Sequence, residues 1–155
     1  MTGDEIAVPF AEKAKLAELV RDYMAEMEAF APDVPPGQPY YHFDLYWTEP
    51  ETRFPFWLRA DGANAGFAFL RREVDADRMQ IAEFYVAPEW RRAGLGRAAA
   101  RRLIARFPGR WRITQRELNA RGIAFWHAVL DGFVEYDEET TETDAVRREQ
   151  TFVYR

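Results

Sequence analysis

Apolar residues in the first third of the chain recur at helical spacing. Leu16, Val20 and Tyr23 fall three or four positions apart within a longer apolar stripe. This period predicts an amphipathic helix over about 11–29, preceded by a short strand at 5–8. Because one side of the helix is apolar and the other is polar, we expect it to cover one face of a β-sheet.

Two shorter apolar runs, at 54–59 and 65–71, are separated by a turn sequence. The intervening 61–64, Asp-Gly-Ala-Asn, has the residue types of a tight turn, which predicts an antiparallel hairpin. Upstream of the hairpin, 40–47 concentrates aromatic side chains without a clear period. This aromatic segment is either a short helix or one wall of a pocket, and we expect most of its rings to belong to the core.

The segment 79–86 predicts a central strand. Both of its faces are largely apolar, as in a strand covered by helices on two sides. Pro88 ends the strand, because proline cannot donate a hydrogen bond to a neighbouring strand. Regular alternation divides the strand between two faces, with Met79, Ile81, Glu83 and Tyr85 on one and Ala82, Phe84 and Val86 on the other.

The second half of the chain alternates helices and strands. Helices are predicted at 94–107 and 119–130, on either side of a strand at 111–115. Closing strands are predicted at 133–136 and 151–154. Together these elements predict an α/β (α+β) fold, in which a mixed, mostly antiparallel and twisted central sheet of six to seven strands carries helices on both faces.

The composition fits one compact domain spanning 1–155. With 155 residues and 48% hydrophobic side chains, the chain can bury a single core. Its net charge of −5 removes the usual electrostatic basis for nucleic-acid binding, so no nucleic-acid partner is expected. The absence of cysteine excludes disulfides, thiolate metal sites and a cysteine nucleophile, and with two histidines no metal site is expected.

The first residues and the lengths of the apolar runs indicate where in the cell the protein is expected. Residues 1–9 include Asp4 and Glu5 without an apolar core, unlike a secretory signal, and no apolar run approaches membrane-spanning length. We therefore expect a cytoplasmic protein with no membrane partner. An edge strand such as 151–155 could pair with a second subunit, so a monomer and a homodimer are both open.

The sequence between the central strand and the next helix predicts an anion-binding turn. Gly94 and Gly96 lie two positions apart, so the backbone can approach a ligand closely, and the first turn of a helix leaves its N–H groups free. Five arginines surround the glycines: Arg91, Arg92, Arg97, Arg101 and Arg102. A Walker loop and a dinucleotide fingerprint are both absent. On its own, the pattern is equally consistent with a tight turn beside a solvated basic face.

Two motifs resemble those of the GNAT superfamily of acyl-CoA-dependent N-acyltransferases. The stretch 86–97, Val-Ala-Pro-Glu-Trp-Arg-Arg-Ala-Gly-Leu-Gly-Arg, is similar to its Arg/Gln-x-x-Gly-x-Gly/Ala turn preceded by a Val-x-Pro strand end. The stretch 119–133 resembles its helix that begins at Asn and continues through a Phe-Tyr/Trp pair to Gly-Phe. The resemblance covers 54–133 well and reaches the N-terminal third only through the placement of the first helix.

The resemblance implies an N-acetyltransferase that moves the acetyl group of acetyl-CoA to a primary amine of a small molecule or peptide, by direct attack in a ternary complex and without a metal. It implies that the backbone near Tyr85 and Val86 binds the pantetheine arm, and that Asn119, Phe125 and Trp126 line the thioester end. Asn119 is equally interpretable as an ordinary helix cap. The pyrophosphate would lie on the turn, whose residues are Arg91, Arg92, Ala93, Gly94, Leu95, Gly96 and Arg97.

Acyl transfer to an amine requires a base, and Glu83 is the best candidate. Desolvation on a central strand would raise its pKa toward the working range, and the resemblance implies a carboxylate at a similar place. The alternative is a glutamate paired with a buried arginine or facing a solvent channel. Many relatives place a tyrosine acid where this chain has Trp126. Tyr85, His127 and Tyr136 are the remaining donors, although we expect His127 to pack in the core.

Two other functions stay open. Loss of the tyrosine acid would suit a CoA-binding regulatory module without catalysis. A third alternative is a small interaction protein whose glycine turn binds nothing. The acceptor amine is not identified, because specificity would reside in 31–53, which is the least patterned part of the chain.

Overall fold

A computed structural model of the chain describes residues 2–155, and Met1 lies outside the described residues. Seven strands form one sheet in the order β1-β2-β3-β4-β5-β7-β6. Neighbouring strands are antiparallel except β4 and β5, which run parallel. The predicted mixed, mostly antiparallel sheet is therefore confirmed. The strands are β1 Gly3–Ala7, β2 Arg53–Ala60, β3 Ala63–Glu73, β4 Arg78–Val86, β5 Gly109–Arg116, β6 Tyr136–Glu142 and β7 Val146–Tyr154.

Helices cover both faces of the sheet. The first two, α1 and α2, lie on one face, and α3 and α4 lie on the other. None of the helices within 2–155 is long and apolar enough to cross a membrane. The α-helices are α1 Lys13–Met27, α2 Leu45–Thr48, α3 Leu95–Arg106 and α4 Ala120–Val129, and single 3-10 turns occupy Phe10–Glu12, Glu28–Phe30 and Pro88–Trp90.

Two apolar clusters hold the helices against the sheet. On the α1 face, Leu16 and Val20 pack on aromatic side chains of β2 and β3, with Tyr46 of α2 closing the same cluster. Most of the aromatic segment 40–47 contributes to this core, and α2 lies within it. Each large side chain buried in this way stabilises the fold by roughly 1.5–3 kcal/mol. The cluster on the opposite face includes Leu103, Ile104, Trp111, Ile113, Trp126 and Phe152.

A β-bulge in β4 makes the prediction of regular alternation wrong. Phe69 of β3 pairs with Glu83 and the next residue pairs with Ile81, so Ala82 has no partner in β3. The extra residue reverses the faces on its two sides. Met79 and Ile81 therefore face α3 and α4, together with Phe84 and Val86, whereas Ala82 and Tyr85 face α1. Glu83 also lies on the α1 side, where its carboxylate meets Tyr23.

The two parallel strands separate soon after they pair. Three residues of β4, Met79 to Ile81, pair with Trp111 to Ile113 of β5. Beyond Ile81 the strands run on to Val86 and Arg116 without pairing to each other within 2–155. The gap exposes strand-edge N–H and C=O groups, which require other hydrogen-bond partners.

The C-terminal strands differ from the prediction. The predicted strand at 133–136 is wrong, because β6 starts only at Tyr136 and consists mainly of the acidic residues that follow. Arg148 of β7 forms an ion pair with Glu138 of β6 at 3.0 Å, whereas Arg147 pairs with Asp144 in the turn between the two strands. The expectation of an edge strand at 151–155 is also wrong, since β7 lies between β5 and β6. A strand made of charged residues has no hydrophobic period for a sequence pattern to detect.

Candidate active site

The turn between β4 and α3 leaves several backbone N–H groups without a protein acceptor. Arg92 and Gly94 adopt left-handed backbone conformations, with φ angles of 71° and 77°, and α3 begins directly afterwards at Leu95. No side chain caps this helix, and within 2–155 no protein group accepts a hydrogen bond from the N–H groups of 92–97. Free donors at a helix N-terminus favour phosphate or diphosphate. The structure therefore contains an anion-binding geometry at this turn.

Gly96 allows α3 to approach the sheet and α4 closely. A Cβ atom at this position would lie 3.2 Å from Val86 Cγ2 and 3.2 Å from Phe125 Cε1. These contacts are tight enough that a side chain would push one of its neighbours aside. The absence of a side chain thus places the free N–H groups directly beside the end of β4.

Arg91 is engaged by the protein itself. Its Nη1 and Nη2 donate to the two carboxylate oxygens of Glu26 at 2.9 and 2.7 Å, and its Nε donates to the Val86 carbonyl at 2.7 Å. The pair with Glu26 raises the pKa of Arg91 further. Arg91 therefore ties α1 to the end of β4, although it also lines the cleft described below.

The other arginines of the basic cluster separate into two groups. Arg101 donates to two carbonyls at the end of α4, and Arg102 binds the buried carboxylate of Glu5. Arg92 and Arg97 have no ion-pair partner among the residues that the structure describes, and both line the cleft. Of the five arginines, these two are free to meet an anion.

The gap between β4 and β5 opens into a cleft of about 1380 Å³. Its walls come from α1, β4, the glycine turn, α4 and the ends of β5 and β7. Ala93 is the one residue of the predicted set that does not line it. The predicted site residues that do line it are Glu83, Tyr85, Val86, Arg91, Arg92, Gly94, Leu95, Gly96, Arg97, Asn119, Phe125 and Trp126.

Asn119 is the N-cap of α4. Its side-chain oxygen accepts a hydrogen bond of 2.9 Å from the Gly122 N–H, which satisfies one free donor of the first turn. Further along α4, Phe125 and Trp126 pack on Phe84 of β4 with ring centroids 5.5 and 5.3 Å away. The cap interpretation therefore holds for Asn119, and its position on the cleft leaves cofactor contact as a prediction.

Glu83 is partly buried, and it lines the cleft. The Tyr23 hydroxyl donates a hydrogen bond to its Oε2. Burial raises the pKa of Glu83 to about 7, while the Tyr23 hydrogen bond and the Arg147 charge act in the opposite direction. A carboxylate with this pKa can exchange a proton near neutral pH. Of the two alternatives, a glutamate paired with a buried arginine does not apply, because among residues 2–155 no arginine lies within ion-pair distance of Glu83. A glutamate facing a solvent channel stays open, since Glu83 lines the cleft.

Three tyrosines surround this carboxylate, and the sequence pattern did not identify them as site residues. Tyr23 binds it directly, and the Tyr40 and Tyr46 hydroxyls lie 3.3 Å from each other. Burial, followed by the charge of Glu83, raises the pKa values of Tyr23 and Tyr40, so both hydroxyls keep their protons. Tyr23 falls on the apolar stripe of α1, where a tyrosine resembles any other core residue. The signal that could have found it was a hydroxyl on a buried face, which requires a polar partner.

The other predicted proton donors lie in different places. Tyr85 packs on Tyr23 and Phe67 beside Glu83, and burial raises the pKa of its hydroxyl. The expectation of a core His127 is wrong. It lies on the exposed side of α4, and its Nε2 lies 2.7 Å from Glu138. Tyr136 donates to the same Glu138 carboxylate and does not line the cleft.

No group of three or more histidine, aspartate or glutamate side chains that could hold a metal ion occurs within 2–155. The lining of the cleft offers the carboxylates of Glu83 and of the Arg91-bound Glu26, several hydroxyls, guanidiniums and backbone N–H groups. These groups can bind an anion at one end of the cleft and accept a proton at the other.

Comparison with known proteins accounts for this arrangement. The family model described as the acetyltransferase (GNAT) family matches residues 16–131. The chain belongs to the GNAT family. The resemblance inferred from the glycine turn and from α4 is thereby confirmed, and the matched range also includes most of α1. No curated protein matches the chain in sequence.

Solved GNAT structures share the fold over nearly the whole chain. The ribosomal-protein-S18-alanine N-acetyltransferase of Escherichia coli has 18% identity and a TM-score of 0.67, with 99% of this chain and 94% of that chain covered. The spermidine N-acetyltransferase of Vibrio cholerae, solved with CoA and spermine, has 13% identity and a TM-score of 0.69, with 98% and 95% covered. AAC(6')-Ib, solved with ribostamycin and coenzyme A, has 14% identity and a TM-score of 0.75, with 99% and 94% covered. At these identities the likeness concerns the fold.

Proposed function

We propose that the protein is an N-acetyltransferase that transfers the acetyl group of acetyl-CoA to a primary amine of a small molecule or peptide. The observation that carries this proposal is the position of two groups in one cleft. The free N–H groups of 92–97 lie at the end of β4, and the proton-accepting Glu83 lies on the same strand, inside the gap to β5. The CoA or acetyl-CoA bound in several solved GNAT structures supports the same co-substrate.

The cleft has suitable donors for each part of acetyl-CoA. The free N–H groups of Leu95, Gly96 and Arg97 suit the diphosphate, and the guanidiniums of Arg92 and Arg97 add positive charge beside it. The unpaired edge of β4 near Tyr85 and Val86 suits the amide groups of the pantetheine arm. Arg91 contributes indirectly, since its bonds to Glu26 and the Val86 carbonyl hold the end of β4 in place.

In the proposed reaction Glu83 prepares the acceptor amine. An ammonium group has no free electron pair, so Glu83 first accepts a proton from it, either directly or through one water. The neutral nitrogen then forms a bond to the thioester carbonyl carbon and gives up a second proton to solvent, the carbon–sulfur bond breaks, and the electron pair leaves with the CoA thiolate. The attack is direct, because the chain contains no cysteine to carry the acetyl group. Trp126 cannot protonate the thiolate, which is a sufficiently stable leaving group to take its proton from solvent.

A non-catalytic CoA-binding module is the alternative, motivated by Trp126 at the place of the usual tyrosine. The perturbed pKa of Glu83 favours the enzyme, since a regulatory module has no need of a carboxylate that titrates near neutral pH. The single domain over 1–155, the cytoplasmic location, the absence of a nucleic-acid partner and the choice between monomer and homodimer stay predictions.

Acetyl-CoA is expected to raise the melting temperature of the purified protein, because a ligand that binds only the folded state stabilises it by mass action. At a hundredfold excess over its dissociation constant, the gain is about 2.7 kcal/mol. The measurement is a thermal shift series with acetyl-CoA, CoA and adenosine. If no shift occurs at saturating acetyl-CoA, both the enzyme and the regulatory module are excluded. Release of free thiol with an amine present then separates the enzyme from the module.

Tyr23→Phe is expected to move the acidic limb of the pH–rate profile to higher pH. The Tyr23 hydroxyl lowers the pKa of Glu83, so without it the carboxylate loses its proton only at higher pH. The rate at pH 7 should fall about three- to tenfold and recover largely at high pH. The pH dependence of kcat/KM measures this shift. Tyr41→Phe is the control, because Tyr41 is exposed and bonded only to Gln38. If the pH profile of Tyr23→Phe equals that of the parent, the Tyr23 hydroxyl does not control the pKa of Glu83.

A further inference from the structure

The part of the cleft that faces α1 has two chemically different walls. The wall opposite α1 comes from β5 and β7 and is basic. Arg116 and Arg147 occupy directly opposed positions on these strands, so their side chains lie on the same face of the sheet. The other wall is mainly apolar and comes from α1 and the segment after it, through Tyr23, Met27, Phe30, Ala31 and Val34.

Glu83 adjoins both walls and is the only carboxylate there that an acceptor can use. It binds Tyr23 on one side and lies within the electrostatic influence of Arg147 on the other. Among the described residues that line the cleft, only Glu26 carries a second carboxylate, and Arg91 holds it with two hydrogen bonds.

Both guanidiniums of the basic wall already have an aspartate partner outside the cleft lining, since Arg116 pairs with Asp33 and Arg147 with Asp144, each at 2.8 Å. An acceptor with several ammonium groups would therefore find one free carboxylate in the cleft and no partner for its second ammonium group.

Arg147 can exchange its present partner for a carboxylate in the cleft. It donates to Asp144 through hydrogen bonds of 3.1 and 2.8 Å. The Asp144 side chain is 64% exposed, whereas that of Arg147 is 26% exposed and lines the cleft. Water can hydrate Asp144 once it is released, so the exchange leaves no buried charge without a partner. A planar guanidinium is also well suited to bind a carboxylate through two hydrogen bonds.

We propose that the acceptor is a free hydrophobic α-amino acid, whose ammonium group meets Glu83, whose carboxylate binds Arg147, and whose side chain packs on Met27 and Phe30. The proposal rests on the acetyltransferase function given above and specifies its acceptor. The amino and carboxylate groups of such a molecule share one carbon atom, which matches a carboxylate and a guanidinium that lie near each other. After Glu83 has taken one proton from the ammonium group, the nitrogen bonds to the thioester carbonyl carbon, the carbon–sulfur bond breaks and the CoA thiolate leaves. The nitrogen releases its second proton to solvent, and Glu83 passes the received proton to solvent as well.

The test compares four amines that differ in one feature at a time. L-Phenylalanine, its amide and phenethylamine share the aromatic group, but only the first carries a carboxylate, and spermidine carries several ammonium groups instead. We expect L-phenylalanine to have the highest kcat/KM in thiol release, about tenfold or more above its amide. Titration calorimetry with CoA-bound protein should show binding of L-phenylalanine even without turnover.

Arg147→Gln is expected to reduce the preference for L-phenylalanine over its amide by about tenfold. The preference is the kcat/KM for L-phenylalanine divided by that for its amide. Comparing this ratio between the variant and the parent cancels any effect of the substitution on Glu83, and it also cancels the difference in basicity between the two amines. Arg155→Gln is the matched control, because Arg155 is exposed, pairs with Glu135 and lies outside the cleft. In Arg155→Gln, the preference for L-phenylalanine over its amide should equal that of the parent protein.

Several outcomes would overturn the acceptor proposal alone. They are a kcat/KM for spermidine or phenethylamine equal to that for L-phenylalanine, an unchanged ratio in Arg147→Gln, or no binding of L-phenylalanine to the CoA-bound protein. Each of these leaves acetyl-CoA binding intact. Absence of a thermal shift with acetyl-CoA is a different result, since it removes the acetyltransferase function itself.

Discussion

Glu83→Gln is expected to lower kcat by about 10²–10⁴ while leaving the affinity for acetyl-CoA unchanged. Glutamine has nearly the same shape but cannot accept a proton from the ammonium group. Its side chain can still accept the hydrogen bond from Tyr23, so the local packing persists. The measurements are steady-state thiol release and calorimetric titration with acetyl-CoA. A loss of affinity together with rate would mean that the substitution disturbs the cleft rather than the proton transfer.

The pH dependence adds a second readout for the same variant. The parent enzyme needs Glu83 without its proton, so its kcat/KM should rise with pH through about 7. The kcat/KM of Glu83→Gln should not show this rise with pH. Glu51→Gln is the control, since Glu51 is an exposed carboxylate in a loop outside the cleft. Equal rates in Glu83→Gln and the parent at pH 8 would exclude Glu83 as the base.

Burial of Glu83 also has a consequence for stability. The pKa of Glu83 lies above its usual value in the folded protein, so folding favours the protonated form. Protonation of Glu83 therefore contributes to the free energy of unfolding. This contribution is fully present below the pKa that Glu83 has in the unfolded chain, and it is lost as pH rises through about 7. Glu83→Gln carries no such charge. It should therefore gain stability relative to the parent between pH 5 and pH 8, as denaturant titrations at both values would measure.

Local sequence signals predicted the parts of the site that depend on neighbours along the chain. Gly94 and Gly96 are close to each other and to the helix that they precede, so turn chemistry and helix propensity suffice to find the free N–H groups. Asn119 is likewise a cap that the next three residues explain. Glu83 stood out because it is a charge within an apolar strand, which is a pattern visible over eight residues.

The features that the sequence did not predict depend on contacts between distant segments. Both faces of β4 are apolar, so the pattern contains no sign that Ala82 is an extra residue and that the faces exchange. The bond between Tyr23 and Glu83 joins positions 60 residues apart. Arg91 was expected at a phosphate, but its partner Glu26 lies on α1, which only the folded structure brings near. The Tyr23–Glu83 pair lowers the pKa of Glu83, and the Arg91–Glu26 pair fixes α1 against the end of β4, so both the chemistry and the shape of the cleft depend on non-local contacts.

Gly96→Val is expected to raise the dissociation constant of acetyl-CoA by about 10- to 100-fold. A Cβ atom at this position would lie 3.2 Å from side-chain atoms of Val86 and of Phe125, so we expect the further atoms of a branched side chain to displace α3 relative to β4 as well as these neighbours. Displacement of α3 moves the free N–H groups out of line with the diphosphate and weakens hydrogen bonds to a charged ligand. Calorimetric titration with acetyl-CoA and with CoA measures the change.

The comparison between CoA and shorter ligands separates this effect from general damage. Overpacking also lowers stability, by about 1–3 kcal/mol, so the melting temperature of Gly96→Val should fall moderately. Ala128→Val is the control, because Ala128 is exposed on α4 and away from the turn. If the free N–H groups bind the diphosphate, Gly96→Val should lose affinity for CoA far more than for pantetheine, which lacks phosphate. An equal loss for both ligands, or none for either, would contradict the assignment of the diphosphate to this turn.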